Sequence, residues 1–235
     1  MRVVTYNVHG GFGRGGMRST GLVLEILRDL DADVVALQEV LDDERSDASL
    51  LRALDELDYE RVIHGPTMRK EQGEYGNVLL VREKVIEREL IDLSVKGREP
   101  RGAIRARIAT EWGPADVVTT HLGLRGRERR WQARRLAEAL GPVNGDQAAP
   151  LRIGLGDFNE WLPWTRTLHA LSRSLGPHHG RATYPAAFPL VRLDRVMVWP
   201  PEALKSLTKV SDARTGIASD HLPLVATIAG DKATR

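Results

Sequence analysis

The stretch LRIGLGDFN, residues 151–159, is the part of this 235-residue chain that decides the fold most strongly. It begins as a run of apolar, strand-forming residues and ends abruptly in a glycine, a carboxylate and an amide. Four further polar stretches follow apolar residues in the same way: TYNVHG at 5–10, LQEV at 37–40, TTHL at 119–122 and SDH at 219–221. Polar groups at the ends of buried strands predict one shared crevice at one edge of a sheet.

Length and composition fit one globular domain. Of the 235 residues 42% are hydrophobic and 28% are charged, and the formal net charge is +2. Such values are ordinary for a protein with a large core, and the small net charge makes any attraction to nucleic acid a local property of the surface. We expect a single domain over residues 1–230 and a flexible tail over residues 231–235.

The absence of cysteine excludes disulfides, thiolate nucleophiles and zinc or iron held by cysteine. No apolar run approaches the roughly 20 residues that span a bilayer. The N-terminus opens on a predicted core strand rather than on a basic and then apolar leader. We therefore expect a cytoplasmic monomer that does not insert into membranes.

The predicted elements alternate between strands and amphipathic helices. Helices are predicted over residues 19–30 with Ser19 as the cap, from about Ser46, over 127–140 and over 163–175. Strands are predicted over residues 33–40, 59–64, 77–81, 85–93, 103–109, 116–121, 151–155, 193–199, 204–209 and 224–228. Residues 145–150 are predicted as a loop. We interpret the glycine-rich segment 10–16 as a connection, since it lacks the Lys-Ser/Thr pair of a phosphate-binding loop.

The groups at the strand ends are those that metal-assisted phosphoester hydrolysis needs. Carboxylates alone repel a phosphodiester, whereas a cation held by carboxylates reverses the local charge and polarises the phosphoryl oxygen. Glu39 suits the ligand role, with Asn7 and Asp220 as further members of the metal shell. Asp157, beside the amide of Asn159, suits the orientation of a water molecule. Oxygen-rich ligands without cysteine favour Mg²⁺, with Mn²⁺ as the alternative.

Two histidines supply groups that transfer protons near neutral pH. They are His121 and His221, and Asp194 in the stretch RLDRV is a candidate to orient one imidazole. Each motif alone has a structural explanation as a turn, a helix cap or a solvated charge. Their combination, with strands leading into one edge, favours a single catalytic site.

The order of these motifs resembles the endonuclease/exonuclease/phosphatase superfamily, which includes DNase I-like nucleases, deadenylases, inositol-phosphate 5-phosphatases and bacterial sphingomyelinases. The matching stretches are TYNVHG, LQEV, YGN, THL, GDFN, LDRV and SDHLP, and they cover residues 1 to about 228. The resemblance implies an α/β (α+β) fold. It is a four-layer αββα sandwich, in which two packed mixed β-sheets are flanked by helices and a Mg²⁺ site lies at one edge.

The resemblance also implies roles for individual residues. The metal positions are Asn7, Glu39 and Asp220. The catalytic positions are Asp157 for water activation, Asn159 for phosphate contact, Asp194 paired with His221, and His121 as the first histidine of the branch that uses two. Asn77 lies on a motif strand near the site and is a candidate substrate contact.

Other features bear on the substrate. His9 stands where similar abasic endonucleases carry Asp, and the aromatic hairpin of membrane-acting sphingomyelinases is missing, so neither activity is supported. Arg127 and Arg130 share a helix face with Arg134, which either binds substrate phosphates or is a solvated face. Trp161 either stacks on substrate or, as we expect, packs with Trp164 at a helix start. Arg98, Arg101, Arg105 and Arg107 are expected to pair with acidic neighbours on a sheet face.

The function predicted from the sequence is a Mg²⁺-dependent phosphoester hydrolase, and specifically a phosphodiesterase that acts through an activated water. A nuclease is favoured by the basic run after His121. Sugar- or inositol-phosphate phosphatase and phospholipid phosphodiesterase are the alternative activities. A non-catalytic binding module on the same fold is the alternative of another class, and it predicts loss of motif residues, none of which is missing.

Overall fold

Two six-stranded mixed sheets form the centre of the molecule. The structure is a computed structural model that describes residues 1–46, 49–143 and 151–230. The predicted loop at 145–150 and the predicted tail at 231–235 lie outside the described residues. Within the described ranges no helix is both long and apolar enough to cross a membrane.

The first sheet has the strand order β11-β12-β1-β2-β4-β3. Its strands are β1 (Arg2–Asn7), β2 (Val34–Leu41), β3 (Arg61–Lys70), β4 (Gly73–Val81), β11 (Leu204–Lys209) and β12 (Leu224–Ile228). β1 and β2 run parallel, and the other neighbours are antiparallel. The carboxyl ends of β1 and β2 therefore lie side by side.

The second sheet has the order β5-β6-β7-β8-β10-β9. Its strands are β5 (Val85–Asp92), β6 (Gly102–Thr110), β7 (Gly113–His121), β8 (Leu151–Asp157), β9 (His178–His179) and β10 (Asp194–Trp199). β7 and β8 form its parallel pair, and the remaining pairs are antiparallel. Each sheet thus carries one parallel pair whose strands end at the same edge.

Helices cover the outer face of each sheet. They are α1 (Thr20–Leu30), α2 (Leu50–Leu54), α3 (Gly126–Leu140), α4 (Arg166–Leu175) and α5 (Thr215–Ala218). Short 3-10 turns lie at His9–Gly11, Arg14–Gly16 and Pro201–Ala203. The glycine-rich segment is therefore a connection built from two tight turns, as predicted.

Alternation along the strands divides the apolar residues into three layers. Val3 and Val117 point into the core between the two sheets. Val4 packs with the residues of α1 and α2, whereas Val118 packs with those of α3 and α4. This arrangement is the four-layer αββα sandwich that the motif order implied, and the predicted fold class is confirmed.

Several predicted boundaries are wrong for identifiable reasons. The strand predicted to end at His64 continues to Lys70, because β3 is an edge strand and accommodates Pro66 next to an irregularity in its pairing. The helix predicted from about Ser46 begins only at Leu50. Ser19 precedes α1 but makes no capping hydrogen bond, because its hydroxyl donates to the carbonyl oxygen of Ala218.

The helix predicted over residues 163–175 begins later, at Arg166. Thr165 is the capping residue, since its hydroxyl oxygen accepts a hydrogen bond from the backbone nitrogen of Leu168 at 3.4 Å. The preceding residues, including Trp164, form turns. Pro163 favoured a helix start by its fixed backbone angle, but the side-chain cap two residues later sets the boundary.

Candidate active site

The ends of five strands bring polar side chains to one edge of the sandwich. In the second sheet the register pairs His121 with Asp157 across β7 and β8, and Asp194 with Asp157 across β8 and β10. In the first sheet Asn7 closes β1 beside the end of β2, which carries Glu39. The shared edge predicted from the sequence is therefore formed by both sheets together.

Asn7 connects the two sheets through its side-chain amide. Its Nδ2 donates to Glu39 Oε1 at 2.9 Å and to Asp157 Oδ2 at 3.2 Å. Its Oδ1 accepts a hydrogen bond from the backbone nitrogen of His9 at 3.0 Å. The amide nitrogen thus faces the carboxylates, and Asn7 holds Glu39 and Asp157 in one geometry. Direct ligation of a cation by Oδ1 would require the amide to turn.

Glu39 reaches the site because β2 is irregular at this point. The pairing of β2 with β4 shifts register between Leu37 and Val40, and Glu39 has a φ of 60°. Positive φ is unfavourable for a glutamate, and such strain is found mostly at functional sites. The irregularity leaves Gln38 buried between the sheets, where it bonds to Thr5 and Thr119, and directs Glu39 towards the edge.

Glu39 is ionised over the whole physiological range. Burial by itself would raise its pKa, but the imidazole of His121 and hydrogen bonds from Asn7 and Tyr75 lower the pKa of Glu39 to about 2. The side chain keeps a partly exposed surface. An accessible carboxylate that retains its negative charge is suited to hold a divalent cation.

The GDFN stretch owes its sequence to close backbone packing. Gly156 has a φ of 153°, and a Cβ atom at this position would lie 2.0 Å from the carbonyl oxygen of Thr120. Asn159 has a φ of 52°, and its backbone nitrogen donates to Asp157 Oδ1 at 2.9 Å. The Asn159 amide also donates to the Leu122 carbonyl at 2.8 Å. The turn therefore fixes Asp157 and Asn159 relative to the end of β7.

His121 is held in its neutral form. Burial lowers its pKa most, and the positive charges of Arg101 and His221 lower it further, against the opposing effects of Asp157 and Glu39. Its Nδ1 lies 3.2 Å from Arg101 Nη1, and its Nε2 lies 3.6 Å from Asp157 Oδ2. The first histidine is thus an uncharged imidazole facing the carboxylate.

His221 is held in the opposite state. Burial would lower its pKa, but the charge and hydrogen bond of Asp194, together with Asp157 and Asp220, raise the pKa of His221 to about 10. Nδ1 of His221 lies 2.8 Å from Asp194 Oδ2, which also accepts the hydroxyl of Thr183. Nε2 lies 3.6 Å from Asp157 Oδ2. A cationic and a neutral imidazole therefore flank one carboxylate oxygen.

We call the space bounded by these side chains the crevice, and its members are Asn7, Glu39, His121, Asp157 and His221. Asn77 lies nearby and is buried, with its amide donating to the Gly102 carbonyl at 3.0 Å. Asp220 lies at the rim, where its side chain is 43% exposed and its Oδ1 is 4.0 Å from His9 Nδ1. The structure brings together every predicted catalytic residue and leaves Asp220 more open than the rest.

Comparison with known proteins identifies the family of this chain. The model of the Endonuclease/Exonuclease/phosphatase family matches residues 4–221, most of the chain. The chain belongs to the endonuclease/exonuclease/phosphatase family. Proteins of this family are generally phosphoester hydrolases and typically use divalent metal ions.

One sequence relative supports this membership, and two solved structures share the fold. The YbhP protein of Escherichia coli strain K12 is 33% identical over 251 aligned positions, which cover 97% of this chain and 95% of YbhP. The human Nocturnin catalytic domain has a TM-score of 0.73 at 22% identity and covers 96% of this chain and 93% of its own. D. rerio TDP2, complexed with a single strand DNA product, has a TM-score of 0.72 at 17% identity. The match covers 98% of this chain and 99% of the TDP2 chain.

Among the described residues, two groups of side chains could hold a divalent ion. Ligand atoms of Asp157, Asp194 and His221 lie within 4.8 Å of one another and are buried. However, Asp194 is already bonded to His221 and Thr183, and a protonated imidazole does not bind metal. The ionised and accessible Glu39, close to Asp157 and Asn7, fits a hard cation better.

Three residues around the crevice were not identified as site residues from the sequence. Tyr75 donates its hydroxyl to Glu39, Arg101 contacts His121, and Thr183 bonds to Asp194. Tyr75 precedes Asn77 by two residues on β4, so strand alternation places both on one face. That alternation and the YGN stretch itself were the available signals for Tyr75. No comparable pattern marks Thr183.

The expected pairing of sheet-face arginines is correct in part. Arg105 and Arg107 form ion pairs with buried Asp116. Arg101 differs because it precedes β6. It is buried, and besides His121 it contacts Glu99 at 2.8 Å.

The arginine-rich helix and the tryptophans remain on the surface. Arg127 and Arg134 on α3 are exposed and Arg130 is partly exposed, whereas Arg129 turns inward to Glu160. The expected packing of the tryptophans is wrong, since Trp161 is 62% and Trp164 is 78% exposed. The cause is the late start of α4, which leaves both rings in the preceding turns.

Proposed function

We propose that this protein is a Mg²⁺-dependent phosphodiesterase that hydrolyses its substrate with an activated water molecule. The observation that carries the proposal is the position of Asp157 between two imidazoles of opposite charge state. Its Oδ2 lies 3.6 Å from His121 Nε2 and 3.6 Å from His221 Nε2. A carboxylate in such a place is suited to orient a nucleophilic water and to accept its proton.

In this proposal Glu39 holds the cation, and Asn7 and Asp220 complete or support the shell. When bound there, Mg²⁺ or alternatively Mn²⁺ would supply positive charge that offsets the charge of the phosphodiester and polarises its phosphoryl oxygen. The Asn7 hydrogen bonds keep Glu39 and Asp157 close enough to act on the same phosphate group. This assigns the metal to the Glu39 side of the crevice and the water to Asp157.

The two histidines divide the remaining work. His221 enters as a cation, stabilised by Asp194, and donates a proton or a hydrogen bond to the phosphoryl group as negative charge develops. His121 remains neutral and contacts the amide of Asn159 at 3.0 Å, so that these two groups position the phosphate. Pairs of groups with diverging pKa values are a common basis for assigning acid and base roles.

Further residues are proposed to contact the substrate beyond the phosphate. Asn77 lines a narrow recess together with Glu39, Arg101 and His121. Arg127 and Arg130 present positive charge on α3, whose first residue follows His121 by five positions, and Trp161 exposes an aromatic face. We also propose that residues 1–230 form one domain and that the enzyme acts as a cytoplasmic monomer, which cell fractionation and sedimentation would test.

A metal-supplemented activity screen tests this function. The protein is incubated with Mg²⁺ or Mn²⁺ and with single-stranded DNA, double-stranded DNA, RNA, phospholipids or sugar phosphates, with Asp157→Asn as the blank. We expect turnover of diesters that EDTA abolishes. Preference for monoesters would instead identify a phosphatase. No turnover above the blank, together with no heat on titration with either metal, would leave a non-catalytic binding module and overturn the proposal.

A further inference from the structure

A cavity of about 350 Å³ opens beside the crevice, and we call it the side cavity. Its walls are Gly13–Gly16, Pro185–Ala187 and Gly216, and it ends at His9 and Asp220. It is therefore continuous with the rim of the proposed active site. Its volume lies within the usual range for small-molecule sites.

The walls of the side cavity are apolar and well held. Glycine, alanine and proline form most of the lining, and Arg14 is the charged residue of the wall outside the His9–Asp220 end. The backbone nitrogen of Ala186 donates to the Asp220 carbonyl at 2.7 Å. Ser19 fastens the other side through its hydroxyl, which donates to the Ala218 carbonyl at 2.7 Å. The cavity is thus part of the fold before any ligand binds.

Four large exposed apolar side chains adjoin the walls of this cavity in sequence. Met17 and Ile217 each follow a wall glycine directly in sequence, and Phe188 and Leu190 follow the wall segment Pro185–Ala187. These four side chains are between 53% and 74% exposed. Exposed apolar side chains on the segments that form the cavity walls favour an apolar ligand there.

The polar end of the side cavity points to where the ligand's phosphate would lie. His9 and Asp220 both line the cavity at this end, and His9 Nδ1 lies 4.0 Å from Asp220 Oδ1. One ester arm of a phosphodiester bound in the crevice can therefore extend into the cavity at this end. That arm enters a space with few hydrogen-bonding side chains. A nucleobase placed there would bury hydrogen-bonding groups without partners, which costs binding free energy.

We propose that the side cavity binds an apolar chain on one alcohol of the substrate. The natural substrate is then an amphiphilic phosphodiester with an alkyl or acyl group, rather than a nucleic acid. This inference rests on the proposed function and narrows its substrate class.

Gly216→Phe tests the proposal by filling the side cavity. A Cβ atom at Gly216 meets nothing within 4 Å, and its backbone needs no positive φ. Gly21→Phe is the matched control, because Gly21 is also a helical glycine with open space around its Cβ position, on exposed α1. Thermal unfolding of both variants checks that they are folded. If Gly216→Phe is not folded, Ala187→Trp, at an exposed wall position, is used to fill the cavity instead.

The substrates are methyl p-nitrophenyl phosphate and octyl p-nitrophenyl phosphate, which share the leaving group and the charge. With Mg²⁺ we expect kcat/KM at least about tenfold higher for the octyl ester, because its chain is removed from water. Gly216→Phe should bring the octyl-to-methyl ratio of kcat/KM close to one. Gly21→Phe should leave this ratio as it is in the unmodified protein. Equal kcat/KM for the two esters in the unmodified protein would overturn the inference while leaving the phosphodiesterase proposal intact.

A binding measurement separates the two proposals if no ester is hydrolysed. Calorimetric titration of octyl phosphate and methyl phosphate into the metal-free protein should give tighter binding of the octyl compound, lost in Gly216→Phe. Equal binding would overturn the side-cavity assignment.

The apolar chain could belong to a free amphiphile or to a membrane lipid. Turnover is therefore compared between dihexanoyl phosphatidylglycerol below its micelle concentration and vesicles of dioleoyl phosphatidylglycerol. Turnover of the first alone identifies a free amphiphile, and faster turnover on vesicles identifies a membrane lipid. Both results support the inference.

Discussion

Nδ1 of His221 lies 2.8 Å from Asp194 Oδ2, and both side chains are buried at the edge of the second sheet. This contact decides the charge of the imidazole. Burial opposes protonation, yet Asp194 and the neighbouring carboxylates raise the pKa of His221 to about 10. The protein therefore holds one histidine as a cation and the other, His121, as a neutral imidazole, with Asp157 Oδ2 3.6 Å from both.

Imidazole ¹⁵N chemical shifts measured against pH check this difference directly. In metal-free protein we expect His221 to titrate near pH 10. We expect His121 to titrate at a pH below the ordinary imidazole pKa of about 6.5. Asp194→Asn should move the pKa of His221 towards 6.5 or below, since burial remains and the main favourable charge is lost. Titration of both rings together near pH 6.5 would contradict the proposed division.

The same pair affects stability. The folded pKa of His221 lies above the unfolded value of about 6.5. Protonation therefore stabilises the folded state fully below pH 6.5, and this contribution is lost as pH rises through about 10. Urea unfolding at several pH values should show this loss for the natural protein and a smaller one for His221→Gln. Identical pH dependence in the two proteins would show that the pair is not coupled to folding.

Glu39→Gln should weaken metal binding. Removal of its charge leaves the proposed shell without its ionised and accessible carboxylate, and we expect the Kd for Mn²⁺ to rise at least about tenfold by isothermal titration. Glu71→Gln is the control, since Glu71 is exposed and pairs only with Arg45 among the described contacts. If Asp194→Asn abolished binding and Glu39→Gln did not, the ion would lie at Asp157, Asp194 and His221.

Arg101→Met should reduce turnover. The buried guanidinium lies 3.2 Å from His121, and removal of such a preorganised positive group lowers kcat by about 10²-fold. The pKa of His121 should rise at the same time, because the charge of Arg101 lowers it. Arg98→Met, at an exposed position three residues earlier, should change neither quantity. Loss of kcat without any change in the His121 titration would assign Arg101 a purely structural role.

Gly156→Ala should destabilise the protein strongly. A Cβ atom would lie 2.0 Å from the Thr120 carbonyl oxygen, and the φ of 153° is itself unfavourable for alanine. We expect a loss of about 3 kcal/mol or more in urea unfolding. Gly21→Ala, in an exposed helical position with open space, should instead stabilise by about 0.4–1 kcal/mol. Similar effects of both changes would contradict the close packing of the GDFN turn.

The fold class and the grouping of the site were predictable from the sequence for a physical reason. Apolar strands that end in polar residues fix both the layers and the edge where those residues meet, as the His121–Asp157 register shows. The boundaries of the helices and strands depended on local contacts that the hydrophobic periodicity of the sequence does not reveal. The Thr165 cap and the edge position of Pro66 are two of these.

Long-range partners of the site were beyond sequence reasoning. Arg101 resembles its neighbours in a run of arginines, and only the approach of β7 gives it His121 as a partner. Thr183 lies in an irregular segment and meets Asp194 through the fold alone. The irregularity that directs Glu39 into the crevice is likewise a property of strand pairing. Such features become visible only when both sheets are assembled.

Hydrolysis of bis-p-nitrophenyl phosphate tests the central claim most directly. The natural protein, Asp157→Asn and Asp58→Asn, a surface control, are compared with Mg²⁺ and with EDTA. We expect Mg²⁺-dependent turnover that falls by about 10²- to 10⁴-fold in Asp157→Asn and is unchanged in Asp58→Asn. Equal turnover in Asp157→Asn and the natural protein, or turnover that persists fully in EDTA, would contradict it.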